Sequence, residues 1–227
     1  MRRESQFWTE AHRAGFHSVY AMDFEGGDRT GVVEYGVVEV TAEGIGKVWT
    51  GLCAPGAVLP SRESETHGLY ASDLIGKDPF SEYWELFRDL RRQGPFLAHS
   101  AQVEDRFLRR QWRTPGEVVD WSGGKEPGFQ WGPWLDSCGL FRSVRPAGSA
   151  SLGSLVKEEG LQEFLDEVAV VLCPEDRCCW HAALYDSIAS ALLFDRILQI
   201  CPEWSVRRVF RESVGRGEAP AEQIDFL

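Results

Sequence analysis

A short apolar run, SVYAMDF, occupies residues Ser18 to Phe24 and is followed within three positions by two glycines. The run is too apolar for an exposed sheet edge, so it predicts a buried strand that ends at a site. Two further segments, Gly31 to Val40 and Ile45 to Cys53, are rich in the β-branched and aromatic residues that strands favour. The three segments predict an antiparallel meander at the start of the fold.

The rest of the chain alternates between helical and extended patterns. Apolar residues recur at helical spacing in residues 79–93 and 101–112, and a short strand, Phe96 to Ala98, is predicted between them. Two helices are predicted around residues 152–168, and a long helix from about Ala182 to Ile200. Strands followed by alternating helices and strands predict a single α/β domain.

The length of 227 residues allows one large domain with a substantial core. We predict that this domain spans residues 18–200, with an N-terminal extension over residues 1–17 and a C-terminal tail over residues 201–227. Residues 114–133 are rich in glycine, proline and tryptophan, and they predict an irregular insertion rather than a linker. We expect the tryptophans of the insertion to pack over the core; stacking on bases is the alternative.

The composition is acidic, with 24 lysines and arginines against 35 aspartates and glutamates and a formal net charge of -11. This balance argues against a protein that holds nucleic acid mainly by counterion release. It leaves open an enzyme that binds only a few nucleotides, because carboxylates that hold divalent cations add negative charge. No apolar stretch approaches the roughly 20 residues needed to cross a membrane, and the amino end lacks the apolar core of a signal peptide. We therefore expect a cytoplasmic protein that does not bind membranes.

Candidate chemistry begins at the end of the first strand, with Asp23 and Glu25. Side chains at positions i and i+2 of a strand project from the same face about 7 Å apart, so these carboxylates can converge on divalent cations. An isolated Asp-x-Glu also fits a solvated strand end, but the apolar run before it favours a site. Gly26 and Gly27 would let the backbone come close to a ligand.

A second candidate segment, FLAHSAQVEDRFL, runs from Phe96 to Leu108. Its strand delivers His99 and Ser100 to the strand end, and the helix that follows carries Glu104 and Asp105. Asp105 can pair with an arginine four positions later on an exposed helix surface. Glu104 lies beside the buried stripe of the helix, where an unpaired charge is costly. We therefore expect Glu104 to have a partner, for which a metal ion is one candidate.

The third candidate segment places His181 five residues before Asp186. Five steps along a helix turn about 500°, so the two side chains would point apart if both lay inside one helix. We therefore expect His181 on the loop before the helix and Asp186 within the helix, against the sheet. The alternative is an ordinary helix start, with an aspartate favoured by the helix dipole and a histidine that has no role.

Together the three segments resemble the DEDDh branch of the 3'-5' exonuclease superfamily, from about Val19 to Phe194. The segment MDFEGG is similar to the first motif, Asp-x-Glu; AHSAQVEDRFL is similar to the second; and HAALYD is similar to the third, His-x4-Asp. The segments ETHGL, WLDSCGLFRSVRP and SLGSLV resemble the connecting segments of the family. Three motifs in the same order are far more specific than any one of them.

The resemblance implies a fold and an activity. The fold would be a ribonuclease H-like mixed sheet of about five strands, three antiparallel and then parallel ones, flanked by α-helices. The activity would be the release of nucleoside 5'-monophosphates from the 3' end of single-stranded DNA or RNA. Residues 18–200 would form the exonuclease domain.

The resemblance also implies roles for individual residues. Two Mg2+ or Mn2+ ions about 4 Å apart would be held by four carboxylates, and His181 would be the general base that takes a proton from the attacking water. The metal-binding and catalytic carboxylates would be Asp23, Glu25, Glu104 and Asp186. The residues expected to bind the substrate are Phe24, Gly26, Gly27, His99 and Ser100.

This chain departs from the family pattern at several positions. Gly26 and Gly27 stand where the family often has threonines, and Ser100 replaces the usual asparagine. The second-motif acid ahead of the Phe-Leu pair is Glu104 instead of an aspartate, and Asp105 follows it directly. We favour Glu104 as the third carboxylate and retain Asp105 as the alternative.

Two other readings of the function remain open. One is a catalytically silent member of the fold that binds nucleic acid or another protein. The other is a proofreading-type subunit that is active within a larger complex. Four carboxylates and a histidine in the family order favour an active enzyme. Neither the choice between DNA and RNA nor the existence of a protein partner or homodimer follows from these motifs.

Overall fold

The computed structural model describes residues 5–124, 126–148 and 150–214. Within these ranges the chain forms one five-stranded mixed sheet. The strands, in chain order, are β1 Val19–Gly27, β2 Gly31–Thr41, β3 Gly44–Leu52, β4 Phe96–Ala98 and β5 Leu135–Asp136. The helices are α1 Gln6–Ala14, α2 Ser61–His67, α3 Trp84–Gln93, α4 Gln102–Gln111, α5 Ser137–Val144, α6 Leu152–Glu158, α7 Gln162–Leu172, α8 Ala183–Ile200 and α9 Val206–Ser213, with short 3-10 turns at Ala71–Leu74, Phe80–Tyr83 and Glu175–Arg177.

The strand order across the sheet is β3-β2-β1-β4-β5, so β1 is central. The pairs β1-β2 and β2-β3 are antiparallel, whereas β1-β4 and β4-β5 are parallel. This arrangement confirms the predicted α/β fold with a ribonuclease H-like sheet of about five strands. The central strand is the one that carries the first acidic motif.

Successive side chains of β1 point to opposite faces of the sheet, and each face has its own core. Val19 and Ala21 belong to a core that includes α1, α5 and α8. Tyr20, Met22 and Phe24 belong to a second core with residues of α3 and α4. Because both faces of β1 are buried, the acids at its end are held by a strand that is fixed from both sides.

A glycine of β2 allows the start of α8 to pack directly on the sheet. Gly36 lies opposite Asp23 in the β1-β2 register. A Cβ atom at Gly36 would lie 2.3 Å from the backbone nitrogen of Leu184 and 2.4 Å from the carbonyl oxygen of Ala183. Only glycine therefore allows the first turn of α8 to lie directly against the strand. This contact brings the third motif to the first.

The insertion at residues 114–133 packs onto the body of the domain, as expected. Trp121 and Trp131 are buried, while Phe129 is exposed. Arg91 of α3 is fully buried and donates to the carbonyl oxygens of Trp131 at 2.7 Å and Gly132 at 2.8 Å. The hydrogen bonds of this buried guanidinium thus link the insertion to α3.

The segments on either side of residues 18–200 contribute to the core. Phe7 of α1 and Val209 of α9 are fully buried, and the amide of Gln6 donates to the carbonyl of Pro202 at 2.8 Å. The predicted boundaries of the extension and the tail stay predictions, and residues 1–4 and 215–227 lie outside the described residues. Within the described ranges, no helix combines the length and the apolar character of a membrane span.

Candidate active site

The first two carboxylates of the site come from the end of β1. Asp23 is half-buried and Glu25 is 9% exposed. Two residues apart on one strand, they share a face of the sheet, the arrangement that the sequence predicts. The β1-β2 register shifts between Glu25 and Gly26, directly after the acids, and pairing with β2 then continues as far as Gly27. Such a β-bulge bends the strand and increases its local twist.

Helix α4 brings Glu104 toward these carboxylates. Glu104 is 3% exposed, and its Oε2 has no hydrogen-bond partner among the described residues. The neighbouring Asp105 is engaged elsewhere, since it accepts from Arg109 Nε at 2.5 Å and from Trp134 Nε1 at 2.9 Å. The helix register that buries Phe107 therefore also turns Glu104 inward, whereas Asp105 is paired with other side chains.

The start of α4 is anchored by a carboxylate from β5. Asp136 accepts from the amides of Ser100 and Ala101, each at 3.0 Å. The same carboxylate caps α5 by accepting from the amides of Cys138 at 2.9 Å and Gly139 at 3.3 Å. One side chain thus fixes the starts of two helices. The sequence analysis missed this role, although an aspartate just before a helix is an N-cap signal.

The fourth carboxylate, Asp186, lies in the first turn of α8 and is 7% exposed. Its Oδ2 accepts from the backbone amide of His181 at 3.3 Å. Its Oδ1 has no hydrogen-bond partner among the described residues. One oxygen of Asp186 therefore accepts a hydrogen bond from the preceding loop, and the other is available to a ligand.

His181 lies on the loop before α8, as predicted, because the helix begins at Ala183. Its side chain is exposed and its φ is 62°, an uncommon conformation for a residue other than glycine. One candidate ligand atom from each of Glu25, His181 and Asp186 lies within 4.8 Å of the others. The loop therefore holds an imidazole at the edge of the carboxylates.

Burial, together with repulsion from neighbouring carboxylates, raises the pKa values of the four acids. Burial is the largest cause in each case. The pKa rises to about 8 for Glu25, to about 8 for Glu104 and to about 7 for Asp186. The pKa of Asp23 lies well above its usual range, with repulsion from Asp186 and Glu104 as further causes. Such a cluster is costly when ionised unless a cation joins it.

The donor set fits divalent cations that prefer oxygen ligands. Two buried carboxylate oxygens, on Glu104 and Asp186, lack any protein donor among the described residues. Buried carboxylate oxygens normally have partners, so these two are available to coordinate a divalent cation. The residues present therefore fit Mg2+ or Mn2+.

A buried ion pair lies next to the acid cluster, and the sequence analysis missed it. Glu34 of β2 and Arg177 are 2% and 7% exposed. Arg177 Nε donates to Glu34 Oε1 at 3.0 Å, and its Nη2 donates to Oε2 at 2.5 Å. The only available signal was Glu34 itself, a lone acid in the apolar strand VVEYG, which requires a buried partner.

Two of the predicted substrate-binding residues are held by the protein itself. Phe24 is 6% exposed, and its ring packs against core rings that include Phe80 and Phe87. His99 contacts Ser137 Oγ through Nδ1 at 2.8 Å, and its Nε2 contacts the Ala150 carbonyl at 2.7 Å. Neither the Phe24 ring nor the His99 ring nitrogens are open to a nucleotide in this arrangement.

Of the other three predicted substrate-binding residues, Gly26 and Ser100 have positive φ values. Gly26 has φ 141°, and a Cβ there would lie 2.0 Å from the carbonyl oxygen of Gly31. A Cβ at Gly27 would meet Glu63 Oε1 at 2.1 Å, so this glycine admits a protein carboxylate. Ser100 has φ 67°, a conformation that the asparagine usual in the family tolerates better. Substrate contacts by these three residues stay predictions.

The molecule has a ribonuclease H-like fold of the kind found in 3'-exonucleases. The central β1, the order of the strands and the flanking helices are its defining features. Exonuclease X in complex with 5' overhanging duplex DNA matches with a TM-score of 0.62 and 20% identity, over 86% of this chain and 99% of that chain. The nuclease domain of 3'hExo, a DEDDh family member bound to rAMP, matches with a TM-score of 0.60 and 15% identity, over 83% and 94% of the two chains. The zinc-bound form of the E. coli ExoI-ssDNA complex matches with a TM-score of 0.56 and 14% identity, over 86% and 42%. The resemblance to DEDDh exonucleases is thus confirmed for the fold.

Sequence comparison links the chain to two DNA polymerase III proteins. No family model matches the chain. The DNA polymerase III PolC-type proteins of Thermotoga petrophila and Thermotoga maritima are each 24% identical over 178 residues, which is 78% of this chain. The chain spans 11% of the length of each of these two curated relatives.

Proposed function

We propose that this chain is a divalent-metal-dependent 3'-5' exonuclease that releases nucleoside 5'-monophosphates from the 3' end of DNA or RNA. The observation that carries the proposal is the convergence of buried carboxylates from β1, α4 and α8, two of which keep an oxygen without a protein partner. Most buried polar atoms have a partner, so these two oxygens support a role in binding a cation. The fold of known 3'-exonucleases supports the same activity.

The metal-binding residues in this proposal are Asp23, Glu25, Glu104 and Asp186, and the cofactors are two Mg2+ or Mn2+ ions. When bound, the cations supply charge stabilisation to the phosphate and lower the pKa of a water. The protein supplies the rigid frame. Asp23 and Glu25 are fixed by β1, and Asp186 is fixed because the start of α8 packs directly on Gly36. A rigid first set of ligands is what a hydrolytic metal site requires.

His181 is the general base in this proposal. It accepts a proton from the water that attacks the terminal phosphodiester, and the 3' oxygen of the preceding nucleotide leaves. Its exposed side chain on a loop can reach a bound nucleotide, while the bond from its amide to Asp186 keeps the loop beside the acids. Among the described residues His181 also lies within ligand distance of Glu25 and Asp186, so a role as metal ligand is the alternative.

The proposed substrate is the 3' end of a single strand. Solved structures of the same fold contain DNA, one with 5' overhanging duplex DNA and one with ssDNA. The cytoplasm is the location that the sequence favours. A proofreading role within a larger complex is the second candidate, because the curated relatives are DNA polymerase III PolC-type proteins and this chain spans 11% of their length.

A direct test is digestion of 5'-labelled single-stranded DNA, duplex DNA and short RNA with Mg2+ or Mn2+. We expect a descending ladder of labelled products and release of nucleoside 5'-monophosphates, both abolished by EDTA. Asp186→Asn is the inactive control. Activity that survives EDTA, or internal cuts in a circular single strand, would contradict the proposal. Stimulation by an added polymerase would favour the proofreading role.

A further inference from the structure

The buried pair of Glu34 and Arg177 has more contacts than an ion pair needs. Besides its two bonds to Glu34, Arg177 donates from Nη1 to the His67 carbonyl at 2.7 Å and from Nη2 to the His181 carbonyl at 3.0 Å. Glu34 Oε2 also accepts from the amide of Ala183 at 3.1 Å. The pair thus connects β2 and α2 to the loop backbone at two points, the carbonyl of His181 and the amide of Ala183.

His181 needs such support because of its conformation. A histidine at φ 62° is strained relative to an extended or right-handed backbone, and such residues persist only when their surroundings hold them. Three hydrogen bonds between side chains and its backbone hold this loop: the His181 carbonyl to Arg177, the His181 amide to Asp186, and the Ala183 amide to Glu34. Two of the three end on the buried pair.

We propose that Glu34 and Arg177 are positioning residues that hold the His181 loop, so that the imidazole faces the carboxylate cluster. This inference rests on the proposed function, in which His181 is the base. Glu34 lies opposite Glu25 in the β1-β2 register, so the loop is held by the strand adjacent to β1, which carries two of the acids. The positions of the proposed base and of these two proposed metal ligands therefore both depend on β1 and β2.

A second buried arginine provides a matched control. Arg91 is also fully buried and donates to three backbone carbonyls, but these belong to Val119, Trp131 and Gly132 of the insertion. Loss of either guanidinium leaves buried carbonyls without a donor, which is destabilising. The positioning role therefore predicts different local effects for Arg177→Lys and Arg91→Lys at comparable losses of stability.

Hydrogen exchange measures the position of the loop without any catalytic assay. We expect Arg177→Lys to speed amide exchange in peptides covering residues 178–186, while the rest of α8 keeps its protection. Arg91→Lys should instead speed exchange within residues 114–133. Should Arg177→Lys fail to fold, the double variant Glu34→Gln/Arg177→Met, which leaves no uncompensated buried charge, takes its place. Unchanged exchange at residues 178–186 would overturn the proposal.

Steady-state kinetics then separates positioning from general stability. Displacement of a catalytic group by about 1 Å can cost on the order of 100-fold, so we expect Arg177→Lys to lower kcat by about 10- to 100-fold with KM for a short oligonucleotide nearly unchanged. Arg91→Lys should leave kcat within about 2-fold of the parent protein. Faster exchange with an unchanged kcat would reject the positioning role. If the parent protein has no nuclease activity, the proposed function fails, and the exchange result alone decides whether the pair holds the loop.

Discussion

Glu25 and Glu34 lie opposite each other in the antiparallel register of β1 and β2, yet their carboxylates have different partners. Glu34 forms two hydrogen bonds with a buried guanidinium. Glu25 instead shares a cluster with Asp186 and His181, and its pKa rises to about 8. One glutamate of the pair is therefore a compensated structural anion, and the other is a buried acid whose ionised form is costly unless a cation joins it.

The first prediction decides the third carboxylate. Glu104→Gln should remove one metal contact and nearly all activity, because the buried Oε2 has no other partner among the described residues. Asp105→Asn should keep most activity, because that side chain is engaged with Arg109 and Trp134. Both variants are assayed under saturating Mn2+. An active Glu104→Gln beside an inactive Asp105→Asn would show that Asp105 is the ligand.

The second prediction concerns His181 as a base. His181→Ala should lower turnover by about 10^2 to 10^4, the usual cost of losing a general base. Calorimetric titration with Mn2+ should still show binding, because four carboxylates remain. Asp186→Asn serves as the comparison in which binding itself is weakened. If His181→Ala abolished Mn2+ binding, the imidazole would be a ligand and not the base.

The third prediction is a pH dependence of stability in the absence of metal. The pKa values of Glu25, Glu104 and Asp186 are raised in the folded state to about 8, about 8 and about 7. A folded-state pKa above the unfolded one means that the stabilisation is complete below the unfolded pKa, near 4, and is lost as the pH rises through the folded values. In EDTA, Tm should therefore fall between about pH 5 and pH 9.

Divalent cations should counteract this loss, because they bind the deprotonated carboxylates. The increase in Tm caused by Mn2+ should accordingly grow with pH over the same range. Differential scanning fluorimetry with EDTA or Mn2+ measures both trends. Asp186→Asn, which removes one of the titrating acids, should flatten the slope in EDTA. A Tm in EDTA that rises with pH would contradict the raised pKa values.

The fourth prediction tests the packing of the start of α8 against β2. Gly36→Ala would place a methyl group against the backbone of Ala183 and Leu184, so α8 must shift. We expect a loss of about 1–3 kcal/mol in the free energy of unfolding, the usual cost of overpacking. We also expect weaker Mn2+ binding, because Asp186 would move with the helix. Gly128→Ala is the control, since a Cβ there meets no atom within 4 Å.

The sequence was informative where one local pattern determines a structure. The apolar run before Asp23 predicted a buried strand, and the Phe-Leu pair after Glu104 predicted the register that turns this glutamate inward. Contacts between distant segments were not predictable. Glu34 and Arg177 are 143 residues apart in the sequence, and nothing local shows that they meet.

Other differences have the same cause. The His99 ring is held between Ser137 and Ala150, which no helix or strand pattern places beside it. Helices α1, α2, α5 and α9 were not predicted. For α1, the available signals were the apolar spacing of Phe7, Trp8 and Ala11 and the glycine, Gly15, directly after the helix.

Chain order determines when the acid cluster forms during protein synthesis. Asp23, Glu25 and Glu104 leave the ribosome early. Arg177 and Asp186 leave it together, much later. Arg177 lowers the pKa of both Glu25 and Asp186, so the segment that completes the negative cluster also brings a cation that offsets it. A nascent chain therefore never carries all four acids without the arginine.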